Sequence, residues 1–259
     1  MSFQRARGIA SRLIVLDSAG STNAELVALA VDTDLADFTT LITDNQTDGR
    51  GRLGRAWMAP TGTSLAISVL VRTDVSAGGV ALGWLPLAAG VAMTDAVAAL
   101  LPRRPVGFKW PNDVQVEGRK VCGILSEIVP GGASVVIGAG LNVTMTSVQL
   151  PVPTATSLMV EGAADDGNLV DDALAGYLSG LRDTVAALWA AGGDAERSGL
   201  RAAVIERCTT IGREVRVELP GGAELLGRAT GIDAVGRLEV RDSTGQVRAV
   251  AAGDIIHLR

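Results

Sequence analysis

The chain has 259 residues, 47% hydrophobic and 20% charged, with a formal net charge of −5. That length accommodates a large catalytic unit plus a small second one, and the acidic balance argues against a general nucleic-acid coat. Two cysteines, Cys122 and Cys208, and one histidine, His257, supply neither a disulfide framework nor a zinc site, so a cytoplasmic location is the default.

Leu13–Leu16 reads as a short buried strand, followed by a turn through residues 17–20. Thr22-Asn23-Ala24-Glu25 has the capping-box pattern, which predicts a helix over 23–31 with Thr22 as N-cap and Glu25 reaching back. Thr39–Thr43 and Ser64–Arg72 read as strands. Between them lies Gly49-Arg50-Gly51-Arg52-Leu53-Gly54-Arg55, which combines three glycines with three arginines. Glycine is costly to order, so this run is expected to resist helix and strand and to stay mobile until an anionic ligand orders it. Arginine supplies a planar fork of donors suited to carboxylates and phosphates. Residues 75–94 are uncharged, but four glycines and Pro86 interrupt them. They read as the broken start of a buried helix over 80–101 and not as a membrane span.

Strands are expected at Val106–Lys109, Val114–Val116, Val121–Val129 and Ser134–Val143, with a turn at Glu117-Gly118. Gly138 and Gly140 inside the last strand imply close approach of a ligand or another backbone. A Pro/Thr/Gly-rich connection over 150–168 leads to helices over 170–191 and 194–207. From Glu214 to Leu258 short strands recur at roughly ten-residue spacing, with turns at 220–222, 235–236 and 243–245. The pattern predicts a small barrel of the SH3 kind, dividing the chain into 1–209 and 210–259.

Lysine is nearly absent: of 23 Lys plus Arg, only Lys109 and Lys120 are Lys. Positions that use lysine in so arginine-rich a chain suggest a need for a compact ammonium, as between a carboxylate and a phosphate. Around them stand Lys109-Trp110-Pro111-Asn112-Asp113 and Gly118-Arg119-Lys120-Val121-Cys122-Gly123-Ile124-Leu125. Asp113 could orient a lysine or a magnesium ion. Gly123 leaves room for a thin ligand, and Trp57 could stack on an adenine or shield an intermediate from water.

Five spaced motifs resemble those of the biotin protein ligases: Gly20-Ser21-Thr22-Asn23, residues 44–57, Lys109–Asp113, Gly118–Leu125 and Gly138-Ala139-Gly140-Leu141-Asn142-Val143. The resemblance implies an α+β fold. Its catalytic domain has a mixed sheet flanked by helices, like that of class II aminoacyl-tRNA synthetases, and a small C-terminal SH3-like barrel follows. It also implies a two-step reaction in which biotin and ATP give biotinyl-adenylate, and biotin then passes to a lysine of an apo biotin carboxyl carrier domain. ATP, biotin and Mg²⁺ are the small molecules implied, with no residue assigned as a metal ligand.

By the same resemblance, Ser21, Thr22, Asn23 and Gln46 meet the ureido ring. Gly49, Arg50, Gly51 and Arg52 wrap the carboxylate, and Gly123 lies beside it. Lys120 sits between biotin carboxylate and α-phosphate, and Arg52 retains the adenylate; with Asp113 these are the expected catalytic residues. The nucleotide is assigned to Arg52, Arg55, Trp57, Asn112 and Asn142. About twelve residues precede the Leu13 strand, which is short for a DNA-binding domain, so no repressor function is expected; the acidic balance and the broken uncharged run likewise lead to no DNA or membrane partner being expected. A monomer or weak homodimer is expected. The alternatives are a lipoate or octanoate ligase on the same scaffold and a nucleic-acid-binding module.

Overall fold

A strand buried on both faces reads as an unbroken apolar run, and the two longest such runs form the centre of the main sheet. The computed structural model describes residues 2–73, 79–131, 134–219, 223–251 and 253–258. In it β5 (Ser64–Arg72) and β9 (Ser134–Asn142) pair antiparallel along nine residues each. On one side of them lie β2 (Thr39–Thr43) and β1 (Arg12–Val15), which pair in parallel. On the other lie β8 (Arg119–Ile128), β7 (Asp113–Val116) and β6 (Val106–Lys109), all antiparallel. The order β1-β2-β5-β9-β8-β7-β6 is a seven-stranded mixed sheet.

Helices α2 (Thr22–Asp32), α3 (Leu85–Leu100) and α4 (Leu169–Ala190) accompany this sheet. The predicted start of α2 moves by one residue. Ser21 is the extended N-cap, its Oγ accepting from Ala24 N–H at 3.5 Å, because the N–H and hydroxyl of Thr22 both point at Gln46 Oε1. Residues 82–100 are apolar and long enough to cross a membrane by composition, yet 67% of that window is buried in the fold. Gly176 and Gly180 let α4 lie against α3, since a Cβ at either would stand 3.3 Å from the methyl of Ala96 or Ala92. The short α1 (Gln4–Arg7) is tied to α4 by Asp171, which accepts from Arg5 N and Ala6 N at 2.9 and 3.0 Å. The last helix, α5 (Leu200–Arg207), begins later than predicted: residues 194–199 form turns and Gly199 takes the left-handed conformation.

A five-stranded antiparallel sheet follows, β10 (Glu214–Glu218), β11 (Glu224–Ile232), β12 (Leu238–Arg241), β13 (Val247–Val250) and β14 (Asp254–His257), in the order β13-β12-β11-β10-β14. The turn predicted at 220–222 and the start of the uncharged run at 75–78 lie outside the described residues. The small sheet is fixed to the large one by indole and guanidinium donors. Trp84 Nε1 donates to Ala234 O at 3.0 Å, Trp110 Nε1 to Gly236 O at 3.2 Å and Arg201 Nε to Ile232 O at 2.8 Å. Both units share one apolar core running from Phe3 to Ile255.

Candidate active site

The β6–β7 corner places Lys109 directly across from Asp113, and Asp113 across from Gly123 on β8. Side chains alternate along a strand, so Lys120 and Gly123 would ordinarily face opposite ways. A register shift opposite Val114/Gln115 inserts an extra residue in β8 and brings both onto one face. Lys120 Nζ then lies 2.7 Å from Asp113 Oδ1. The space at Gly123 belongs to that lysine, where an open ligand space was expected: a Cβ there would stand 2.8 Å from Lys120 Nζ. The backbone of Lys120 is held as well, its N–H donating to Thr154 O and its carbonyl accepting from Thr156 N–H, both at 2.8 Å.

The arginine–glycine run departs from the expectation that it would resist regular structure. It forms a two-stranded ribbon, β3 (Gly49–Arg50) against β4 (Ala56–Trp57), joined by a 3₁₀ turn at Arg52–Gly54 in which Leu53 is left-handed at φ 56°. Gly49 is required there, since a Cβ would stand 2.2 Å from Trp57 O. The turn delivers Arg52 across the cleft, where it donates to Asn112 Oδ1 at 3.0 Å and Gly253 O at 3.3 Å. Asn112 is braced in turn by its own Nδ2 donating to Ile124 O at 3.2 Å.

These elements enclose a cleft of about 370 Å³ whose walls include Arg50, Gly51, Arg52, Arg55, Lys109 and Lys120, facing the carboxylates of Asp113 and Glu218. Burial lowers the Arg52 pKa, with Asp113 opposing and Arg55 reinforcing. Burial likewise lowers Lys109, against Asp113 and with Lys120. Crowding several cations around one or two carboxylates leaves a site with an excess of positive charge that an anionic ligand would relieve.

A second, smaller cavity of about 40 Å³ shares Arg50, Trp57 and Leu125 with the cleft and is otherwise neutral. Ser21, Thr22, Asn23 and Gln46 line it. Gln46 Oε1 accepts from Thr22 N at 2.8 Å and from Thr22 Oγ1 at 3.1 Å. Asn23 Nδ2 donates to Leu125 O at 3.1 Å and Glu127 Oε2 at 2.7 Å, while Ser68 Oγ donates to Asn23 Oδ1 at 2.6 Å. The close approach expected at Gly138 and Gly140 is present, but side chains of the chain itself make it. A Cβ at Gly138 would strike Asn23 Oδ1 at 2.4 Å, and one at Gly140 the Trp57 indole at 2.7 Å.

The structure thus gathers most of the sequence-predicted residues around two connected cavities. Two differ. Gly49 lines neither cavity and instead sits beneath Trp57 and Gln46. Asn142 also lines neither; it is buried and donates Nδ2 to Thr156 O at 2.9 Å. Sequence reasoning did not place Ser68, Glu127, Glu218, Gly253, Ile255 or Ile256 at the site. Ser68 carried a local signal, a hydroxyl interrupting the apolar residues 65–71 of β5; the C-terminal residues carried none. Cys122 is no nucleophile here, because burial pushes its thiol up to about 12.

Comparison with known proteins is consistent with this geometry. The model of the Biotin/lipoate A/B protein ligase family matches residues 23–143, and that of the Biotin protein ligase C terminal domain matches residues 210–258. The Biotin–[acetyl-CoA-carboxylase] ligase of Mycobacterium tuberculosis is 43% identical over 254 residues, covering 96% of this chain and 90% of its own. The Bifunctional ligase/repressor BirA of Escherichia coli is 33% identical over 221 residues, covering 83% of this chain and 64% of its own. The structure of the Aquifex aeolicus biotin protein ligase in complex with biotin and ATP superposes with a TM-score of 0.74 at 24% identity, covering 96% of this chain and 99% of that one. That of the Leishmania major ligase in complex with biotinyl-5-AMP gives 0.62 at 22%, covering 93% and 99%. The two superpositions bear on the fold alone.

Proposed function

The chain belongs to the biotin protein ligase family, and on that premise we propose how its two cavities divide the work of a biotin–[acetyl-CoA-carboxylase] ligase. The observation that carries the reading is their junction: a neutral hydrogen-bonding slot opens beside a cationic cleft, with Arg50, Trp57 and Leu125 common to both. Biotin matches that division, because its ureido ring is neutral and polar while its other end is a carboxylate. The slot takes the ring, and the carboxylate then enters the cleft beside Lys120.

ATP fills the rest of the cleft. A biotin carboxylate oxygen attacks the α-phosphorus, the bond to the β-phosphate oxygen breaks, and pyrophosphate leaves with its electron pair. Carboxylate and phosphate repel: two unit charges about 4 Å apart cost roughly 4 kcal/mol at an effective dielectric near 20. Lys120, Arg52 and Lys109 offset this, each charge-assisted hydrogen bond contributing about 1.5–3 kcal/mol. Asp113, 2.7 Å from Lys120, keeps the ammonium aimed until the substrates arrive. Arg52 spans the cleft to Gly253 O, closing the ribbon over the mixed anhydride and excluding water. Arg55, Asn112 and Trp57 contact the nucleotide, and Asn142 reaches it only if its bond to Thr156 O is exchanged. In the second step the amine of a carrier-domain lysine attacks the acyl carbon, loses a proton, and AMP departs.

Magnesium belongs in this reading to the substrate MgATP. Among the described residues no group of three His, Cys, Asp or Glu side chains gathers that could hold a metal ion. Free buried thiols at Cys122 and Cys208 suit a reducing compartment, which supports a cytoplasmic location. The test is mass spectrometry of an apo carrier domain incubated with this protein, biotin and MgATP. The expected result is a mass gain of one biotinyl group on one lysine. No gain, or a gain with lipoate in place of biotin, would overturn the reading.

A further inference from the structure

Along β8 the residues Gly123, Leu125 and Glu127 share one face, which runs from the cleft to the slot. Glu127 occupies the far end, and its Oε2 accepts from Asn23 Nδ2 at 2.7 Å. The second hydrogen of that amide goes to Leu125 O at 3.1 Å. A carboxylate and a carbonyl only accept, so the group facing both of them must be the NH₂. A flipped amide would set Oδ1 against two oxygens. On the other side Ser68, fully buried, donates to Asn23 Oδ1 at 2.6 Å, and Gly138 makes room for the amide, since a Cβ there would stand 2.4 Å from Oδ1.

Both hydrogens of Asn23 are therefore consumed inside the protein, and what it offers the slot is the second lone pair of Oδ1. Gln46 is committed the opposite way, its Oε1 taken by Thr22 and its Nε2 left as donor. A cyclic urea presents ring N–H donors and a carbonyl acceptor. We propose that Glu127 is a positioning residue that sets the polarity of the slot: by holding the Asn23 amide, it makes Oδ1 an obligatory acceptor for a ligand ring N–H. This rests on the reading of the slot as the ureido site. It explains discrimination as well as binding, since a ring without N–H groups leaves a buried acceptor unpaired, which is where large specificity ratios arise. A dithiolane ring is such a ligand.

The test is steady-state kinetics on Glu127→Ala and Glu127→Gln. Glu127→Ala frees one amide hydrogen and lets Asn23 turn. Its KM for biotin is expected to rise about 20-fold, the range a lost charge-assisted hydrogen bond gives, with kcat at saturating biotin changed less than about threefold. Glu127→Gln keeps an accepting oxygen and is expected to hold KM within about fivefold of the parent. An unchanged KM in Glu127→Ala, an equal loss in both variants, or a fall in kcat alone would overturn the proposal. Calorimetry on the unmodified chain tests it without a variant. Of two biotin analogues methylated on one or the other ureido nitrogen, one is expected to bind at least about tenfold more weakly than biotin; binding of both as tight as biotin overturns it. If biotin itself gives no heat, the ligase reading fails and not only the role of Glu127.

Discussion

The slot and the cleft meet at Trp57 and solve opposite physical problems. In the slot the polar side chains hold one another: Thr22, Asn23, Gln46, Ser68 and Glu127 form one hydrogen-bonded network that leaves Gln46 Nε2 and a lone pair of Asn23 Oδ1 for a ligand. Its hydrogen bonds fix directions, and direction is what recognises a small polar ring. The cleft is the reverse. Arg50, Arg52, Arg55, Lys109 and Lys120 outnumber the carboxylates facing them, and Lys120 and Asp113 remain partly exposed. Such an arrangement is costly without a ligand and favourable with an anionic one, so it suits charge that appears during a reaction. Recognition is thus assigned to a region whose directions are fixed by its own hydrogen bonds, and chemistry to one whose charge is unbalanced.

The sharpest way to break this division is Lys120→Ala. If the cleft carries the chemistry, pyrophosphate release from biotin and MgATP should fall about 10²–10³-fold, the scale of losing one stabilising group at a developing charge. Biotin binding in the slot should persist and the melting temperature should hardly move, because a partly exposed ion pair contributes at most about 1 kcal/mol. Near-normal pyrophosphate release would remove Lys120 from the mechanism. Next in size is Arg52→Gly, which severs the bonds to Asn112 and Gly253. Free adenylate should escape about 10–100-fold faster, read as indiscriminate labelling of lysines on a bystander protein; unchanged retention would assign the closure elsewhere. Gly123→Ala is milder. Its methyl would stand 2.8 Å from Lys120 Nζ, and the ammonium, at the end of a flexible chain, must move off Asp113. We expect about a tenfold loss in kcat/KM with little change in stability; equal activity would mean that the aim of Lys120 is unimportant.

The two regions were also unequally legible. The cleft announces itself in composition, through a glycine–arginine run and two lysines in a chain that otherwise uses arginine. Charge and glycine are visible one residue at a time. The slot is built from contacts across 45 residues between Asn23 and Ser68 and 104 between Asn23 and Glu127, and a single Ser or Glu in a strand carries no sign of its partner. The wall from the C-terminal sheet was equally silent, as Arg52 meets Gly253 across 201 residues. Gly138 and Gly140 show the intermediate case: the need for space was readable, but what fills it was set by tertiary packing. The delayed start of α5 has the same character, since the left-handed conformation of Gly199 is what ends the preceding turns.

The smallest expected effect probes how far the positive field of the cleft extends. His257, at the end of β14, bonds Thr210 Oγ1 at 3.1 Å. Its pKa is pushed down to about 4, first by burial and then by Lys109 and Arg213. The folded state therefore binds this proton less readily than the unfolded chain, whose histidine titrates near 6.5. Above 6.5 neither state is protonated and the contribution to stability is complete. As pH falls from 6.5 towards 4 the unfolded state takes up the proton first, and stability is lost. The melting temperature should thus decline across that window, and His257→Gln, which keeps a partner for Thr210, should flatten the decline. Lys109→Met should flatten it partially, because one of the two cations acting on the imidazole is then gone while burial remains. A decline that is identical in Lys109→Met and the parent would confine the field of the cleft to its own walls, and the division between a charged and a neutral region would then stop at the residues that line them.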